Sequence, residues 1–270
     1  MGAVVVLLLL VFLILLAYLL LPIGGRVVLL GSDTRESGGT GVVEDSTGSR
    51  SDTILVAKSG KGALSVPRDT LVEIPGHGED KINAAFAYGG PELMVETLND
   101  LTDLSINNYV VLDFNGVKDI VDALGGVELE VEEPISVGLD GQKVEIQAGK
   151  QNLGGLEALA YVRYRGGPTA DIGRIDHQQK FLSALVREVT SPSKVLRWPA
   201  TFGAIRNNTE TNMNVFEVAR YVIRTGVFSG LLGRSLEADT YPGTPQYIEG
   251  VAYWVPDEES ASPLIEQTIE

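Results

Sequence analysis

An uncharged apolar run near the start of the chain constrains its fold most. Residues Ala3 to Ile23 are almost all Val, Leu, Ile, Ala and Phe, without a charged side chain. A helix of about 20 such residues crosses the ~30 Å hydrocarbon layer of a bilayer. The run lacks the basic leader and the cleavage site of a signal peptide, and it lacks the polar face of a core helix. We therefore predict a transmembrane anchor over residues 1–25 and a folded domain over residues 26–270.

The net charge of the chain indicates which partners the domain can bind, and its lack of cysteine bears on the cell compartment in which it lies. The chain has a formal net charge of -15 and no Cys. An acidic surface opposes binding to nucleic acid, which requires a basic face. The absence of Cys agrees with a domain outside the cytoplasm that has no disulfides. Arg26 follows the apolar run closely, so the positive-inside rule gives no support for this orientation. A domain of this length crosses the membrane regardless of loop charge, and we expect a single-pass membrane protein with an extracytoplasmic domain.

The order of apolar and polar segments is typical of an α/β domain. Strand-like segments are Arg26–Gly31, Asp52–Ala57, Ala63–Pro67, Thr70–Ile74, Tyr109–Phe114 and Val127–Val131. Helix-like segments are Pro91–Leu101, Gly116–Leu124, Leu156–Val162, Asp176–Glu188, Lys194–Ile205 and Val215–Val227. They do not alternate with the strict rhythm of a doubly wound fold. We therefore predict a three-layer α-β-α sandwich with a central mixed sheet.

Two aspartates lie where the predicted strands begin or end. Asp33 follows the first strand, and Asp52 opens the second strand directly after Arg50. Ligands of α/β sheets usually bind at such strand ends. Two carboxylates together could share a hard divalent cation such as Mg²⁺, which also takes phosphate oxygens. Capping of turns, a frequent role of Asp, explains the same positions equally well.

Several arginines in this acidic chain lie in short motifs with Asp, Gln, Pro or aromatic neighbours. They are Arg50, Arg68, Arg163, Arg165 and Arg174. If they gather at one place, their planar guanidinium groups form a cage suited to phosphate. The alternative is a set of unrelated surface ion pairs, each of which stabilises the fold by only ~0–1 kcal/mol. We favour the cage because of the flanking residues.

The sequence Tyr161-Val-Arg163-Tyr-Arg165 is the most specific local pattern. If this stretch is extended, the two arginines project from the same side, and an anion between them would offset their repulsion. Gln178, four residues after Arg174, would share a helix face with it. Neither His77 nor His177 has the neighbours of a catalytic triad or the spacing of a zinc site.

Together these motifs resemble the LytR-CpsA-Psr family of cell-envelope phosphotransferases. In chain order they are Gly31-Ser-Asp33-x-Arg35, Arg50-Ser-Asp52-Thr53, Val66-Pro-Arg68-Asp69, Lys81-Ile-Asn83, the Phe114 and Gly125-Gly-Val127 region, the Leu153 to Arg165 stretch, Asp171-x-Gly-Arg174, Gln178-Gln179, Thr211-Asn-Met213 and a final Pro242-Gly. The match extends over nearly all of the chain after the apolar run. A single N-terminal anchor with an outside domain is also the usual layout of this family.

The resemblance implies transfer of a glycan from a polyprenyl-pyrophosphate carrier to a cell-envelope acceptor, with release of polyprenyl phosphate. By motif position, the pyrophosphate would be held by Arg68, Arg163, Arg165, Arg174 and Gln178. Asp33 and Asp52 would bind Mg²⁺ or Mn²⁺ or position the attacking hydroxyl, supported by Arg50. Lys81 and Asp171 are secondary candidates. The polyprenyl tail would need an apolar slot beside the sheet. The implied partners are the lipid-linked glycan, peptidoglycan or another acceptor, and membrane lipid, but no nucleic acid.

Other functions remain open on the sequence alone. One alternative is a polyprenyl-phosphate-binding regulator or sensor, an attenuator without transferase activity. Paired Asp33 and Asp52 favour the enzyme, because a sensor needs the arginines but no paired carboxylates. Another alternative is a pyrophosphatase, with water as the acceptor. The sequence also departs from the resemblance at His177, where the family often has Arg before its Gln pair, so a cation there would be titratable or lost.

Overall fold

The computed structural model of the chain describes most of the predicted domain. It covers residues 25–32, 51–59, 61–139, 141–164, 177, 180–181, 183–185, 187–189, 191–214, 216–218, 220–221, 224–225 and 238–269. The predicted anchor, residues 1–25, lies almost wholly outside this set. Among the helices of the described residues, none is long and apolar enough to cross a membrane.

These residues form a mixed α/β fold. The strands are β1 (Arg26–Ser32), β2 (Ser51–Lys58), β3 (Ala63–Ser65), β4 (Leu71–Ile74), β5 (Gly78–Lys81), β6 (Ile106–Asp113), β7 (Val127–Val131), β8 (Ile135–Leu139), β9 (Gln142–Ile146), β10 (Gly149–Leu153), β11 (Thr209–Thr211), β12 (Ala238–Thr240), β13 (Gly243–Ile248) and β14 (Val251–Pro256). The α-helices are α1 (Ile82–Thr102), α2 (Phe114–Leu124), α3 (Gly155–Arg163), α4 (Trp198–Asn208) and α5 (Glu258–Thr268). A 3₁₀ helix covers Pro192–Arg197. The described residues between 177 and 189, and between 216 and 225, are also helical.

The central sheet is mixed, which confirms the prediction from the sequence. Its six strands lie in the order β11-β6-β1-β2-β3-β12. β1 pairs with β6 in parallel and with β2 in antiparallel fashion. β3 is antiparallel to β2, and β12 is parallel to β3. The remaining strands form two-stranded ribbons: β4 with β5, β7 with β10, β8 with β9 and β13 with β14.

Alternation along the strands gives the central sheet two apolar faces. Val28 and Leu30 are buried on one face, in a core that includes residues of α1 and α5. Val27 and Leu29 point to the other face, because successive side chains of a strand alternate. That second face is covered by residues of α2, of α4 and of the helical segments near 185 and 221. Helices therefore pack on both sides of the sheet.

A second apolar core lies beside the sheet and supports α3. It joins the inner faces of α2 and α3 to the buried residues of the ribbons β7–β10 and β8–β9. The two helices approach closely at Gly155, where a Cβ atom would collide with the Lys118 carbonyl and the Asp122 side chain. The Gly155 amide donates to Asp122 Oδ1 at 2.8 Å, and the Gly154 amide donates to Glu157 Oε2 at 2.8 Å. These bonds satisfy amides that the first turn of α3 would otherwise leave unpaired.

Several boundaries differ from the sequence prediction. The helix predicted from Pro91 begins earlier, at Ile82, and bends at Gly89 and Gly90, which have non-helical backbone angles. Phe114 begins α2 instead of ending the preceding strand. The ribbon strands β8 and β10 and the C-terminal helix α5 have no counterpart among the predicted elements. These segments are short and have few regularly spaced apolar residues, so they cannot be recognised from the sequence without the element against which they pack.

Candidate functional site

Several strands of the central sheet terminate on the same side. We call this side, where β1, β3 and β6 end and β2 begins, the carboxyl edge; it runs across the strand ends and is distinct from the outer strands β11 and β12. The register fixes this, since Ser32 pairs with Ser51 on one side and with Asp113 on the other. Such an edge is where open α/β sheets usually bind ligands.

Asp52 lies at an irregularity of the carboxyl edge. Gly31 pairs with Thr53, and the next residue, Ser32, pairs with Ser51. Asp52 is therefore the extra residue of a β-bulge in β2. Bulges are frequent beside active sites, where they bend a strand and terminate pairing. The side chain of Asp52 and all of Asp33, the residue after Ser32, are outside the described set.

Arg68 and Lys81 meet at the carboxyl edge through the carboxylate of Asp69. Lys81 Nζ lies 2.7 Å from Asp69 Oδ1, and Arg68 Nε lies 3.5 Å from Asp69 Oδ2. The three side chains are 25% (Arg68), 37% (Asp69) and 27% (Lys81) exposed. Asp69 thus offsets the repulsion of two cations, and each cation keeps a solvent-accessible portion that an anion can reach. We call these three residues the Arg68 cluster.

Backbone hydrogen bonds hold the Arg68 cluster in place. Val66 N donates to Ile54 O at 2.9 Å, and the chain then leaves the sheet at Pro67, which has no amide to continue the ladder. The Arg68 carbonyl accepts from Asn83 N, in the first turn of α1, at 3.2 Å. The Asp69 carbonyl accepts from Trp254 N of β14 at 2.9 Å.

Lys81 has an aromatic neighbour as well. Its Nζ lies 5.5 Å from the centre of the Tyr253 ring. A cation at this distance from an aromatic face is attracted by the ring quadrupole. The N-terminal end of α1, where Lys81 is the N-cap residue, thus contributes to the cluster together with the β13–β14 hairpin.

Arg163 is the last residue of the helix α3 and does not lie in an extended segment. Tyr161, Val162 and Arg163 form the last part of α3, in agreement with the helix predicted over Leu156–Val162. The condition of an extended stretch, under which Arg163 and Arg165 would project from the same side, is therefore not met at these residues. Tyr164 is the first extended residue, with φ of -62° and ψ of 129°. The helix extends because Ala158 to Val162 are buried in the second core, which outweighs the strand preference of Tyr and Val.

His177 packs on two tyrosines near the end of α3. Its ring centre lies 4.7 Å from that of Tyr161 and 5.8 Å from that of Tyr164. The residue that departs from the family pattern is therefore part of an aromatic cluster at the end of α3. Of the other predicted site residues, Asp33, Arg50, Arg165, Asp171, Arg174 and Gln178 lie outside the described residues.

Asp113 is a carboxylate that the sequence analysis missed. It is the last residue of β6 and pairs with Ser32 at the carboxyl edge. The signal was present in the segment Tyr109–Phe114, where an acidic residue follows a run of apolar residues, as Asp33 does after β1. The parallel pairing of β6 with β1 places the two strand ends side by side, and no pattern in the sequence specified this pairing.

The carboxyl edge has ligand chemistry suited to a divalent cation. The backbone register brings Asp52 and Asp113 to the same edge. In the sequence, Asp33 is the residue after Ser32, the last residue of β1. Carboxylate oxygens are the donors that Mg²⁺ and Mn²⁺ prefer. Among the described side chains alone, no group of three or more His, Asp or Glu residues is arranged to hold a metal ion. The fit of the edge to such an ion thus rests on the donor type and the backbone positions.

An apolar cavity lies under the central sheet. Its volume is about 170 Å³, and aliphatic side chains of the sheet and of the covering helices form nearly all of its wall. The lining includes Leu112, which precedes Asp113 at the carboxyl edge, and Ala57 and Ala63 near the opposite edge. The cavity thus runs along the sheet face that Val27 and Leu29 share. The predicted apolar slot beside the sheet has this counterpart.

Comparison with protein families places the chain in a known class. The profile of the LytR_cpsA_psr family matches residues 24–270. The chain therefore belongs to the LytR-CpsA-Psr family, as the motifs indicated.

Two relatives have names that refer to cell wall biosynthesis or to the transfer of a cell wall polymer. The chain is 33% identical over 240 residues to the polyisoprenyl-teichoic acid–peptidoglycan teichoic acid transferase TagU of Enterococcus faecalis, a match that covers 86% of this chain and 75% of that protein. It is 39% identical over 198 residues to the probable cell wall biosynthesis protein LcpB of Corynebacterium glutamicum, covering 70% of this chain and 47% of LcpB. The matched part is thus about half of LcpB.

Solved structures share the fold. The structure of TagV from B. subtilis superposes with a TM-score of 0.72 at 27% identity, covering 90% of this chain and 95% of TagV. A structure described as TagT bound to LI-WTA gives a TM-score of 0.67 at 26% identity, covering 90% of this chain and 88% of TagT.

Proposed function

We propose that this protein is a membrane-anchored phosphotransferase of the cell envelope. It transfers a glycan from a polyprenyl-pyrophosphate carrier to an acceptor outside the membrane and releases polyprenyl phosphate. Family membership and the described teichoic acid transferase activity of TagU support this class of reaction. The acceptor is peptidoglycan or another envelope polymer.

The observation that carries the proposal is the position of the cavity relative to the charged edge. The Arg68 cluster and the Asp52 bulge lie at the carboxyl edge, and the apolar cavity begins under the same edge at Leu112. A substrate with an anionic pyrophosphate and a long hydrocarbon tail matches this arrangement. The opposite edge is where β1 starts at Arg26, so an anchor before Arg26 would bring the far end of the cavity toward the bilayer.

The proposed chemistry is displacement at phosphorus. An acceptor hydroxyl attacks the phosphorus that bears the sugar, and a new P–O bond forms between acceptor and glycan phosphate. The bond between this phosphorus and the bridging oxygen breaks, and polyprenyl phosphate leaves with the bridging oxygen. The hydroxyl proton passes to a base or to water. Negative charge develops on the bridging and terminal oxygens, and preorganised cations aimed at them lower the barrier.

In this reaction the cationic residues of the chain would bind the phosphate oxygens, and the carboxylates would orient the acceptor hydroxyl. Arg68 presents a planar fork of donors to the phosphate oxygens, and Asp69 keeps Lys81 beside it as a point charge. Arg163, Arg165, Arg174 and Gln178 complete the pyrophosphate site in this proposal. Asp33 and Asp52, supported by Arg50, orient the acceptor hydroxyl, with Asp113 beside them.

The same carboxylates would hold Mg²⁺ or Mn²⁺. When bound, such an ion would neutralise charge on the phosphate oxygens. Asp171 is proposed as a secondary residue of the site because it shares a motif with Arg174.

The test is turnover by the full chain in detergent. The protein would be incubated with a polyprenyl-pyrophosphate glycan, Mg²⁺ and an acceptor glycan, and release of polyprenyl phosphate would be followed. We expect release by the wild type and loss of release in Asp33→Ala and in the double variant Arg163→Ala/Arg165→Ala. Arg187→Ala changes an exposed arginine that donates to the Glu128 carbonyl at 2.7 Å; it is the matched arginine control and should keep the activity.

The outcomes separate the candidate functions. Release without an acceptor product would indicate a pyrophosphatase. Tight lipid binding without release, weakened only by the arginine changes, would refute the transferase and leave a lipid-binding regulator.

A further inference from the structure

The β13–β14 hairpin begins at the carboxyl edge and leaves the central sheet there. β12 is parallel to β3, and Thr240, its last residue, pairs with Ser65. The chain then passes the end of the sheet and enters β13 at Gly243. The return strand β14 is held at the edge, because Trp254 N donates to Asp69 O at 2.9 Å. The hairpin is thus attached directly beside the Arg68 cluster.

The direction of the hairpin follows from that of β4. Trp254 forms a parallel bridge with Thr70, the residue before β4. β4 and β5 run beside the first turns of α1, since His77, in the turn between them, stacks on Tyr88 with ring centres 4.6 Å apart. α1 leads away from the carboxyl edge, because its last turn is hydrogen-bonded to the start of β6. β14 runs in the same sense, so the residues that precede Trp254 lie beyond the edge. The three residues from Trp254 back to Val251 span about 10 Å.

The two faces of the hairpin differ in what they adjoin. Opposite residues of an antiparallel pair share a face, and successive residues alternate between faces. Tyr253 opposes Gln246, and Val251 opposes Ile248, so these four side chains lie on one face. Lys81 Nζ lies 5.5 Å from the centre of the Tyr253 ring, so this face adjoins the Arg68 cluster. We call it the inner face.

The inner face is exposed although much of it is apolar. Ile248 is 39% and Val251 is 44% exposed, and Gln246 is exposed as well. In the sequence, Glu249 is the only charged residue of the segment Gly243–Pro256, whereas 21% of the whole chain is charged. Exposed apolar surface of this kind marks interaction sites. The near absence of charge suits a partner that is itself mostly uncharged at the contact.

The proposed reaction requires its acceptor on this side of the site. In a displacement at phosphorus, the attacking and the leaving oxygens lie roughly in line. The leaving polyprenyl phosphate lies toward the cavity, which runs under the sheet from Leu112. The acceptor hydroxyl therefore approaches from beyond the carboxyl edge, where the inner face stands beside the Arg68 cluster.

We propose that the inner face binds the acceptor, a polysaccharide strand, and brings one of its hydroxyls to the phosphorus held at the Arg68 cluster. Sugar rings present C–H faces that pack on Tyr253, Ile248 and Val251, and hydroxyls that bond to the Gln246 amide. This inference rests on the proposed function, since it assigns the acceptor surface of the same site. The inner face orients the acceptor and takes no part in the bond exchange at phosphorus.

Kinetics at varied acceptor concentration test this assignment. The full chain in detergent would be given a polyprenyl-pyrophosphate glycan, Mg²⁺ and soluble glycan strands of peptidoglycan, and donor affinity would be measured separately by titration. The main variant is Gln246→Ala/Ile248→Thr, on the inner face of β13. Val251→Thr, which keeps a β-branched shape on β14, is a second variant. Tyr247→Thr is the matched control, because Tyr247 lies between the two altered positions of β13, on the other face, and is 82% exposed.

We expect the KM for the glycan strands to rise about 5–20-fold in Gln246→Ala/Ile248→Thr, through loss of an amide donor and of apolar contact. Val251→Thr should raise it in the same direction. The kcat at saturating acceptor and the affinity for the donor should stay at the wild-type values, since the Arg68 cluster is unchanged. Tyr247→Thr should keep the wild-type KM, although it removes the more exposed side chain. Melting temperatures should stay within about 2 °C.

Other results would overturn the inference in distinguishable ways. An unchanged acceptor KM in both inner-face variants, or an equal rise in Tyr247→Thr, would show that the inner face does not bind the acceptor. Weaker donor binding in the inner-face variants would assign the face to the donor instead. A wild type that sediments as a dimer, with inner-face variants that dissociate, would show that a second copy covers the face. Release of polyprenyl phosphate without transfer to the strands would overturn this inference alone, whereas failure to release it would overturn the proposed function as well.

Discussion

At the residue scale, Asp69 shows how an acidic protein prepares a cationic site. Its carboxylate lies 2.7 Å from Lys81 Nζ and 3.5 Å from Arg68 Nε, so it orients both cations before an anion arrives. Partly exposed ion pairs stabilise a fold by only ~0–1 kcal/mol. The main effect of Asp69 is therefore on geometry, and variants of the Arg68 cluster should affect binding far more than folding.

The first prediction concerns the shape of the Arg68 side chain. Arg68→Lys keeps the charge but loses the planar fork that can bind two phosphate oxygens at once. We expect affinity for a polyprenyl pyrophosphate to fall by about 10–100-fold, as for loss of a charged hydrogen bond. The melting temperature should stay within about 2 °C. Titration and thermal unfolding of the full chain measure the two effects. Arg187→Lys is the control, and equal losses in both variants would contradict the prediction.

The second prediction concerns stability at high pH. Burial, with the hydrogen bond to Glu92 next in importance, raises the pKa of Tyr109 to about 12. In the unfolded chain a phenol ionises near pH 10, so between about pH 10 and 12 the folded state holds the proton more firmly. The stabilisation is complete below about pH 10 and is lost as pH rises through this window. Tyr109→Phe should show a smaller loss across it.

Thermal unfolding at pH 8, 10 and 11.5 would check this expectation. At pH 8 the variant should be less stable by about 1 kcal/mol, because it lacks the 2.9 Å hydrogen bond to Glu92. Burial also raises the pKa of Tyr241 to about 12, so the alkaline loss should be reduced but not abolished. The exposed variant Tyr247→Phe should follow the wild type at every pH, and identical slopes in all three proteins would refute the assignment.

At the element scale, α3 shows where sequence patterns were sufficient and where they failed. The segment Leu156–Val162 was predicted as a helix from its apolar spacing, and the structure confirms it within Gly155–Arg163. The extended conformation considered for Tyr161 to Arg163 does not occur, because Tyr161 and Val162 are buried in the second core, and local alternation of aromatic and cationic residues does not reveal this burial. Tertiary burial decided the backbone conformation there.

The carboxyl edge shows a similar division. Strands β1, β2 and β6 were predictable from short apolar runs that end at Gly, Asp or Lys, and so was the hairpin that leads to Arg68. The bulge at Asp52 and the pairing of Asp113 with Ser32 were not predictable, since both depend on register between segments far apart in sequence. The candidate residue types were thus readable from the chain, whereas the placement of Asp52 and Asp113 at one edge required the sheet.

The third prediction tests the contact between α2 and α3. A Cβ atom at Gly155 would collide with the Lys118 carbonyl and the Asp122 side chain. Gly155→Ala should therefore destabilise the protein by about 1–3 kcal/mol, through strain at a packed helix contact. It should also lower transferase activity, because α3 carries Arg163 at its end. Denaturant unfolding and the release assay measure these effects.

Gly203 provides the matched control for this change. It lies in α4, is exposed, and has no heavy atom within 4 Å of an added Cβ among the neighbours that the structure describes. Gly203→Ala should stabilise the protein by up to about 1 kcal/mol, since alanine loses less backbone entropy in a helix. A destabilised Gly203→Ala, or an unaffected Gly155→Ala, would contradict this account of the helix contact.

At the scale of the whole molecule, the two faces of the central sheet differ in how completely they are packed. One face packs on α1 and α5 and forms the main core, whereas the other face leaves a cavity of about 170 Å³. A cavity lined by aliphatic residues forfeits dispersion contacts that a filled core would have, so it weakens the free protein. A hydrocarbon chain that enters it would recover those contacts. The carboxyl edge lies at one end of the cavity, and Arg26, the first residue after the predicted anchor, lies at the opposite edge. A chain with an anionic end would therefore lie with that end at the carboxyl edge.

The last prediction fills this cavity from the sheet side. Ala57 lies near the sheet edge opposite the carboxyl edge and lines the cavity. Ala57→Phe would place a ring in the space that the lipid tail needs, and affinity for polyprenyl phosphate should fall at least about tenfold, equivalent to ~1.4 kcal/mol. The free protein should unfold at the same or a higher temperature, because the ring fills empty space. Ala252→Phe, on the exposed hairpin strand β14, controls for added bulk and should bind the lipid like the wild type.

If Ala57→Phe keeps full lipid affinity while the Arg68 variants lose theirs, the headgroup site would stand and the tail would lie outside the cavity. If both lose affinity together, the edge and the cavity act as one binding site.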